Sequence, residues 1–215
     1  MEIKLSAEDI EWLITQYPKL QIDTFAKTIT GDIDFTRSYE GYEISDSYTI
    51  QIILEASGNS MLPKVHELSN KIAEMAKRYK MELIDLHINT DRSFCTVIQD
   101  REHELFEDKF TIQEFMKKAL EPFLFAMSYF DKEGRLPWGE YAHGYLGHLE
   151  LFAEGGIDLE RLLELLEKKE LAQALLTNRQ SRCLCGSGKK LRKCHPFVFR
   201  GINKLKVKFK IGECD

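Results

Sequence analysis

Three cysteines and a histidine fall within the thirteen residues CLCGSGKKLRKCH, 183–195, of a chain with only five cysteines in all. Cys183 and Cys185 stand two apart, and Cys194 and His195 are adjacent. Three thiolates and an imidazole complete the tetrahedral ligand set of Zn²⁺, which leaves no position open to water in a structural site. The expected cofactor is therefore a structural zinc ion held by Cys183, Cys185, Cys194 and His195. Gly186 and Gly188 allow the backbone to turn sharply beside the metal. Lys189, Lys190, Arg192 and Lys193 offset the negative charge of the thiolates. The alternative, a chance group of buried thiols, leaves the number and type of donors unexplained.

This segment resembles the SEC-C motif, a short zinc-binding module with the pattern C-x-C-G-S-G-K-K-x-x-x-C-H, which Cys183 to His195 follow without a gap. The resemblance implies a binding appendage and names no activity. Charge marks the same boundary. From Arg179 onward there are eleven Lys/Arg against two acidic residues, whereas the preceding 178 residues carry 19 basic and 33 acidic side chains. An acidic body thus ends in a basic tail. The whole chain is 43% hydrophobic, enough for a real core. No apolar run approaches a membrane span, and MEIKLSAEDIEW lacks the layout of a signal peptide. A cytoplasmic location without membrane contact is expected, where cysteines act as ligands, nucleophiles or buried thiols.

Ser6 followed by Ala-Glu-Asp caps a helix whose Ile10, Leu13, Ile14 and Tyr17 share one face, ended by Pro18. The Thr-, Ile- and Tyr-rich stretch beyond it predicts strands at 22–30, 32–38 and 46–55, with turns at Thr30-Gly31 and Glu40-Gly41. LPKV, 62–65, reads as a fourth strand. Helical spacing returns over 67–80 and strongly over 111–131, with a kink or restart at Pro122. Residues 135–148 look irregular, and 158–176 read as one amphipathic helix. NKLKVKFKI, 203–211, alternates lysine with apolar residues and predicts a basic-faced strand. The fold class is α+β, with helices packed on one antiparallel sheet.

The order of elements, with Tyr39-Glu40-Gly41, Leu62-Pro63-Lys64-Val65, His87-Ile88-Asn89 and Cys95 at its joints, resembles the ubiquitin-conjugating (UBC-like) fold over about residues 5–135. That resemblance implies an N-terminal helix, a four-stranded meander and helices on one face. It also implies a thioester-forming transferase of bacterial type, often found in antiphage defence. Its partners would be a protein conjugated through its C-terminus, such as a ubiquitin-like protein or a cyclic-nucleotide synthase, and a target amine. Thioester transfer needs a thiol nucleophile and a donor for the oxyanion. Cys95 is the candidate nucleophile, Asn89 the oxyanion donor, and His87 orders the loop. Ile88 replaces the family's proline, the loop to Cys95 is shorter, and 21 residues between Val65 and His87 make room for an inserted helix. Cys95 between Phe94 and Val97 suits an inert core thiol equally.

Residues 1–155 are thus expected to form the UBC-like domain, 156–178 a connecting helix, 179–199 the zinc module and 200–215 a basic tail. Alternatives to the transferase are a catalytically inactive protein-binding adaptor and a ribosome- or nucleic-acid-associated zinc protein. Glu140 and His143 have a spacing that fits a second metal site, but their glycine neighbours favour a turn. His143 and His148 read as structural histidines, Trp138 as a core anchor and Cys214 as a free thiol.

Overall fold

Helix α1 (Ala7–Gln16) opens as its capping signal predicts. In the computed structural model the Asp9 N–H donates to Ser6 Oγ at 3.1 Å and the Ser6 N–H donates to Asp9 Oδ2 at 2.9 Å. The structure describes residues 3–56, 60–97, 101–106, 110–138, 141–142 and 144–211, with only the backbone at 103 and 104. Glu140, His143 and Cys214 lie outside the described residues. Two compact units divide the chain, Met1–Trp138 and Gly139–Asp215, so the division falls ahead of the expected 155.

The first unit is α+β. Its sheet is an antiparallel meander of β1 (Leu20–Asp23), β2 (Thr28–Tyr39), β3 (Tyr42–Ile53) and β4 (Lys64–Glu67), in that spatial order. Glu40 and Gly41 form the expected turn between paired Tyr39 and Tyr42, with φ of 49° and 81°, the handedness that suits twisted strands. The turn expected at Thr30-Gly31 does not form. Gly31 sits within β2 opposite Leu20 at φ 146°, where a Cβ would lie 2.2 Å from the Lys19 carbonyl oxygen. Close backbone approach, not chain reversal, is what requires this glycine. The reversal occurs at 24–27, where Asp23 Oδ1 accepts from the Phe25 and Ala26 N–H groups at 2.9 and 2.7 Å.

Alternation along β2 and β3 buries Ile29, Ile33, Ile44, Tyr48, Ile50 and Ile52. Each such side chain contributes about 1.5–3 kcal/mol when fully buried. The inserted helix, α2 (Lys71–Tyr79), buries Ile72, Met75 and Ala76. It starts later than predicted because Glu67 is still strand, and its carboxylate accepts the Lys71 and Ile72 N–H groups at 2.5 and 2.9 Å. A 3₁₀ turn (Leu83–Leu86) and a short α3 (Glu102–Leu105) follow. The long helix runs as α4 (Ile112–Phe115), a π-helical turn (Met116–Leu120) and α5 (Glu121–Glu133). Pro122 cannot donate to the carbonyl of Lys118, and the ladder widens just ahead of it. Every residue from Phe123 to Phe130 is buried, which makes α5 the core helix against β3. Trp138 stacks on Phe125, with centroids 5.8 Å apart, and meets Tyr39 edge-on.

One polar network lies within this core. Ser128, 1% exposed, donates to Asp46 Oδ2 at 2.6 Å and lies 3.1 Å from the Tyr48 phenol. Lys71 Nζ reaches the same carboxylate oxygen at 2.5 Å and lies 4.2 Å from the centre of the Tyr48 ring. Burial works to raise the Asp46 carboxyl, but hydrogen bonds from Lys71, Ser128 and the Ser47 N–H outweigh it and hold it below its ordinary value. The network links α5, β3 and α2.

The second unit is helical. It holds α6 (Tyr145–Glu154), α7 (Leu159–Leu165), α8 (Lys168–Leu176), α9 (Leu191–Cys194) and α10 (Pro196–Lys208). Three expectations are corrected here. The irregular stretch ends at Gly144, because Leu146, Leu149, Leu151 and Phe152 bury one helical face. The single helix over 158–176 is two, broken at Leu166 with ψ of 128°, and a capping box between Glu167 and Glu170 restarts it. The predicted basic strand is the end of α10, whose buried Val198, Gly201, Ile202, Leu205 and Lys206 follow helical spacing. Residues 200–208 are therefore no separate tail. Gly201 lets α10 press onto α6, since a Cβ there would stand 2.0 Å from the Leu149 carbonyl oxygen.

Gly201→Ala should destabilise the second unit by about 1–3 kcal/mol; faster hydrogen exchange across α6 and α10 is the measurement. Asp46→Ala should cost about 1–3 kcal/mol in urea unfolding at pH 6. The Asp46 carboxyl is lowered by folding, so its contribution is complete above the unfolded value of about 3.9 and fades as pH falls toward the folded one. The difference between wild type and variant should accordingly shrink below about pH 4.

Candidate thiol loop and metal centre

His87 and Cys95 face each other across a short hairpin. The Cys95 N–H donates to the His87 carbonyl at 2.8 Å, Ile88 bridges Phe94, and the Asn89 N–H donates to the Ser93 carbonyl at 2.8 Å. His87 and Arg92 hold φ of 56° and 68°, which lets so short a loop reverse. The hairpin extends the sheet beyond β4, since Phe94 N–H donates to Val65 O at 2.8 Å and Ser93 bridges His66. Ile88 and Phe94 are buried, and Phe94 stacks on Phe123 of α5 with centroids 4.6 Å apart. Ile88 is thus a core side chain whose N–H donates to Leu83 O at 3.0 Å.

Cys95 itself is partly exposed. The Asn89 amide is engaged elsewhere: Nδ2 donates to Ser93 Oγ at 3.0 Å. Ser93 Oγ donates to Asp91 Oδ1 at 2.6 Å, and Lys64 Nζ reaches Asp91 Oδ2 at 2.6 Å. Lys64 first, then the Ser93 hydroxyl and N–H, hold the Asp91 carboxyl well below the usual carboxylate range. Lys64, Asp91 and Ser93 escaped sequence reasoning, although the D-x-S spacing that lets a carboxylate bind the hydroxyl and N–H two residues on was present. Two surface depressions border the hairpin, of about 470 and 180 Å³. Ala73, Leu83 and Arg92 line both, and Cys95 lines neither.

The four residues at 183–195 do converge, and they can hold a metal ion. One donor atom from each of Cys183, Cys185, Cys194 and His195 lies within 4.8 Å of all the others. Cys185 Sγ and Cys194 Sγ are 3.7 Å apart, the edge of a tetrahedron with bonds of about 2.3 Å. His195 turns Nδ1 toward Cys183 Sγ at 3.0 Å. Gly186 and Gly188, at φ 80° and 71°, supply the turn. Hydrogen bonds from Cys183 N–H to Lys189 O and Leu191 N–H to Ser181 O, 2.7 and 3.0 Å, close it. Burial pushes the Cys183 thiol up to about 12. The Cys185 thiol, although burial opposes it, is pulled down to about 6 by Ser187 and the neighbouring thiols. One thiol ionises at the expense of the other, and a cation is what lets both be thiolates.

Two of the basic residues beyond the cluster have structural partners. Lys204 Nζ donates to Phe152 O at 2.6 Å and lies 4.4 Å from the centre of the Phe152 ring. Lys206, 6% exposed, donates to Thr177 O. Both cap helix C-termini, the ends that favour cations. His148 lies on α6, half-buried, and is not one of the four converging donors.

One metal ion per chain is expected by elemental analysis, and Cys194→Ala should lose it. Chelation should lower the second unit's thermal midpoint and expose its cysteines to thiol reagents, because structural-metal binding energy is folding energy. No family model, no curated protein and no solved structure matches this chain.

Proposed function

We propose that this chain is an acyl carrier and transferase of the ubiquitin-conjugating kind, with Cys95 as its thiol and a zinc-bound module for docking a protein partner. The observation that supports it best is the hairpin of residues 87–95, in which a partly exposed cysteine stands cross-strand from His87 with Asn89 in the same turn. In the first step Cys95 sulfur displaces the leaving group of an activated C-terminal carboxyl, forming a C–S bond and releasing the leaving group with the thiol proton. In the second an amine attacks that carbon, the C–S bond breaks, and an amide and the free thiol result. An amide N–H of Asn89 aimed at the oxyanion of the second step is worth about 3 kcal/mol in acyl transfer. Zinc is the metal favoured by a closed Cys₃His set. The resemblance to bacterial conjugating proteins suggests a role in antiphage defence, with a protein's C-terminus as donor.

A second reading, a protein-binding adaptor, is favoured by one specific observation: the Asn89 amide donates to Ser93 rather than to the thiol. Cys95→Ser separates the two readings, because it turns a labile thioester into an oxyester. In the native host, wild type should carry an adduct cleaved by dithiothreitol. Cys95→Ser should carry one that resists dithiothreitol but yields to hydroxide, and Cys95→Ala none. Intact mass spectrometry showing no Cys95-dependent adduct on folded, metal-loaded protein would leave the adaptor.

A further inference from the structure

We infer that Lys64, Asp91 and Ser93 are positioning residues that fix which way the Asn89 amide faces. The inference rests on the transferase reading for its consequence, though not for its geometry. A carboxylate only accepts hydrogen bonds, so at 2.6 Å the Ser93 hydroxyl proton must point to Asp91 Oδ1. Ser93 Oγ has no second proton. It is therefore an acceptor toward Asn89, and the Asn89 atom facing it at 3.0 Å has to be Nδ2 rather than Oδ1. Asp91 is ionised at neutral pH and hence acceptor-only, and Lys64 Nζ, 2.6 Å from Oδ2, holds that carboxylate in place. The direction of every bond in the series follows from the carboxylate.

The series also joins the hairpin to the sheet. Lys64 belongs to β4, Asp91 and Ser93 to the hairpin, and Ser93 is 4% exposed where it bridges His66. With one N–H of Nδ2 given to Ser93, the other remains for a developing oxyanion. Without Asp91 the Ser93 hydroxyl is free to rotate and donate to Asn89 Oδ1, and the amide is free to flip. A flipped amide turns its carbonyl toward Ser93 and moves both N–H groups to the other side. Asn89 is then the catalytic group, while Lys64, Asp91 and Ser93 act only through it.

The test separates loading from transfer. A glycyl peptide thioester of mercaptoethanesulfonate loads Cys95, forming the new C–S bond and releasing mercaptoethanesulfonate. Free lysine then discharges it, forming the amide C–N bond, breaking the C–S bond and returning a proton to the thiol. Asp91→Ala and Ser93→Ala should each slow discharge at least tenfold, as Asn89→Ala does, with thermal midpoint and loading rate unchanged. Ser93→Thr, which keeps the hydroxyl, should restore discharge. The two side-chain N–H resonances of Asn89 should shift in Asp91→Ala and stay in place in Ser93→Thr. Wild-type discharge in both alanine variants beside slow discharge in Asn89→Ala overturns the inference, and so does a loss of rate that merely tracks a loss of thermal midpoint. If wild-type Cys95 accepts no acyl group from the thioester, the transferase reading fails instead. The Asn89 resonances then still decide whether Asp91 orients the amide.

Discussion

The stack of Phe94 on Phe123, 4.6 Å between centroids, fastens the thiol hairpin to the most deeply buried helix of the first unit. Offset aromatic pairs add about 0.5–1.5 kcal/mol beyond the area they bury. Here the geometric consequence matters more than the energy. Phe94 also gives its N–H to Val65 O, so side chain and backbone of one residue are anchored from two directions. The residue that follows, Cys95, has its height above the sheet decided by this neighbour. The apolar sequence around the cysteine therefore has two meanings. Phe94 is the core residue, while the thiol is carried past it to a partly exposed position.

In the second unit the Cys/His cluster does an equivalent task. His195 is both a member of the cluster and the N-cap of α10, and Pro196 starts that helix without an N–H to satisfy. α10 in turn presses Gly201 onto the Leu149 carbonyl and sends Lys204 and Lys206 to Phe152 O and Thr177 O. An ion held at the cluster would fix the first turn of the helix whose lysines cap the ends of α6 and α8. The positive charge of the C-terminal segment is accordingly not all surface. A lysine that is 6% exposed and bonded to a carbonyl has no ammonium left to contact a partner directly.

What could be read from the residue order was local. The Ser6 cap, the Glu40-Gly41 turn and the convergence of three cysteines and a histidine each depend on residues within a dozen positions, and each is found in the structure. The failures have non-local causes. Gly31 looks like a turn glycine until the Lys19 carbonyl is seen to lie against it. The alternating lysines of 203–211 imitate a strand with one basic face, but Lys206 occupies a buried helical position. The role of Asp91 was hidden because Lys64 lies 27 residues away on another element. Neither unit's fold was legible as a family beyond α+β with a Cys₃His cluster, since only short motifs, not patterns along the chain, carried the resemblances.

The first unit uses one polar device twice. Lys71, Asp46, Ser128 and Tyr48 form it in the core; Lys64, Asp91, Ser93 and Asn89 form it at the sheet edge. In both, a lysine clamps an aspartate, the aspartate takes the serine proton, and the serine is left to accept from a fourth group. Burial makes the difference between them. Around Ser128 the fourth group is the phenol of Tyr48, 1% exposed, and the device locks α5, β3 and α2 together. At the edge Asp91 is 43% exposed, so a surface ion pair of this kind adds at most about 1 kcal/mol. Stability is therefore a poor reason for the second device. Its distinguishing effect is directional, because its fourth group, unlike a phenol, has a donor and an acceptor end, and the Asp91 carboxylate, acting through Ser93, decides between them.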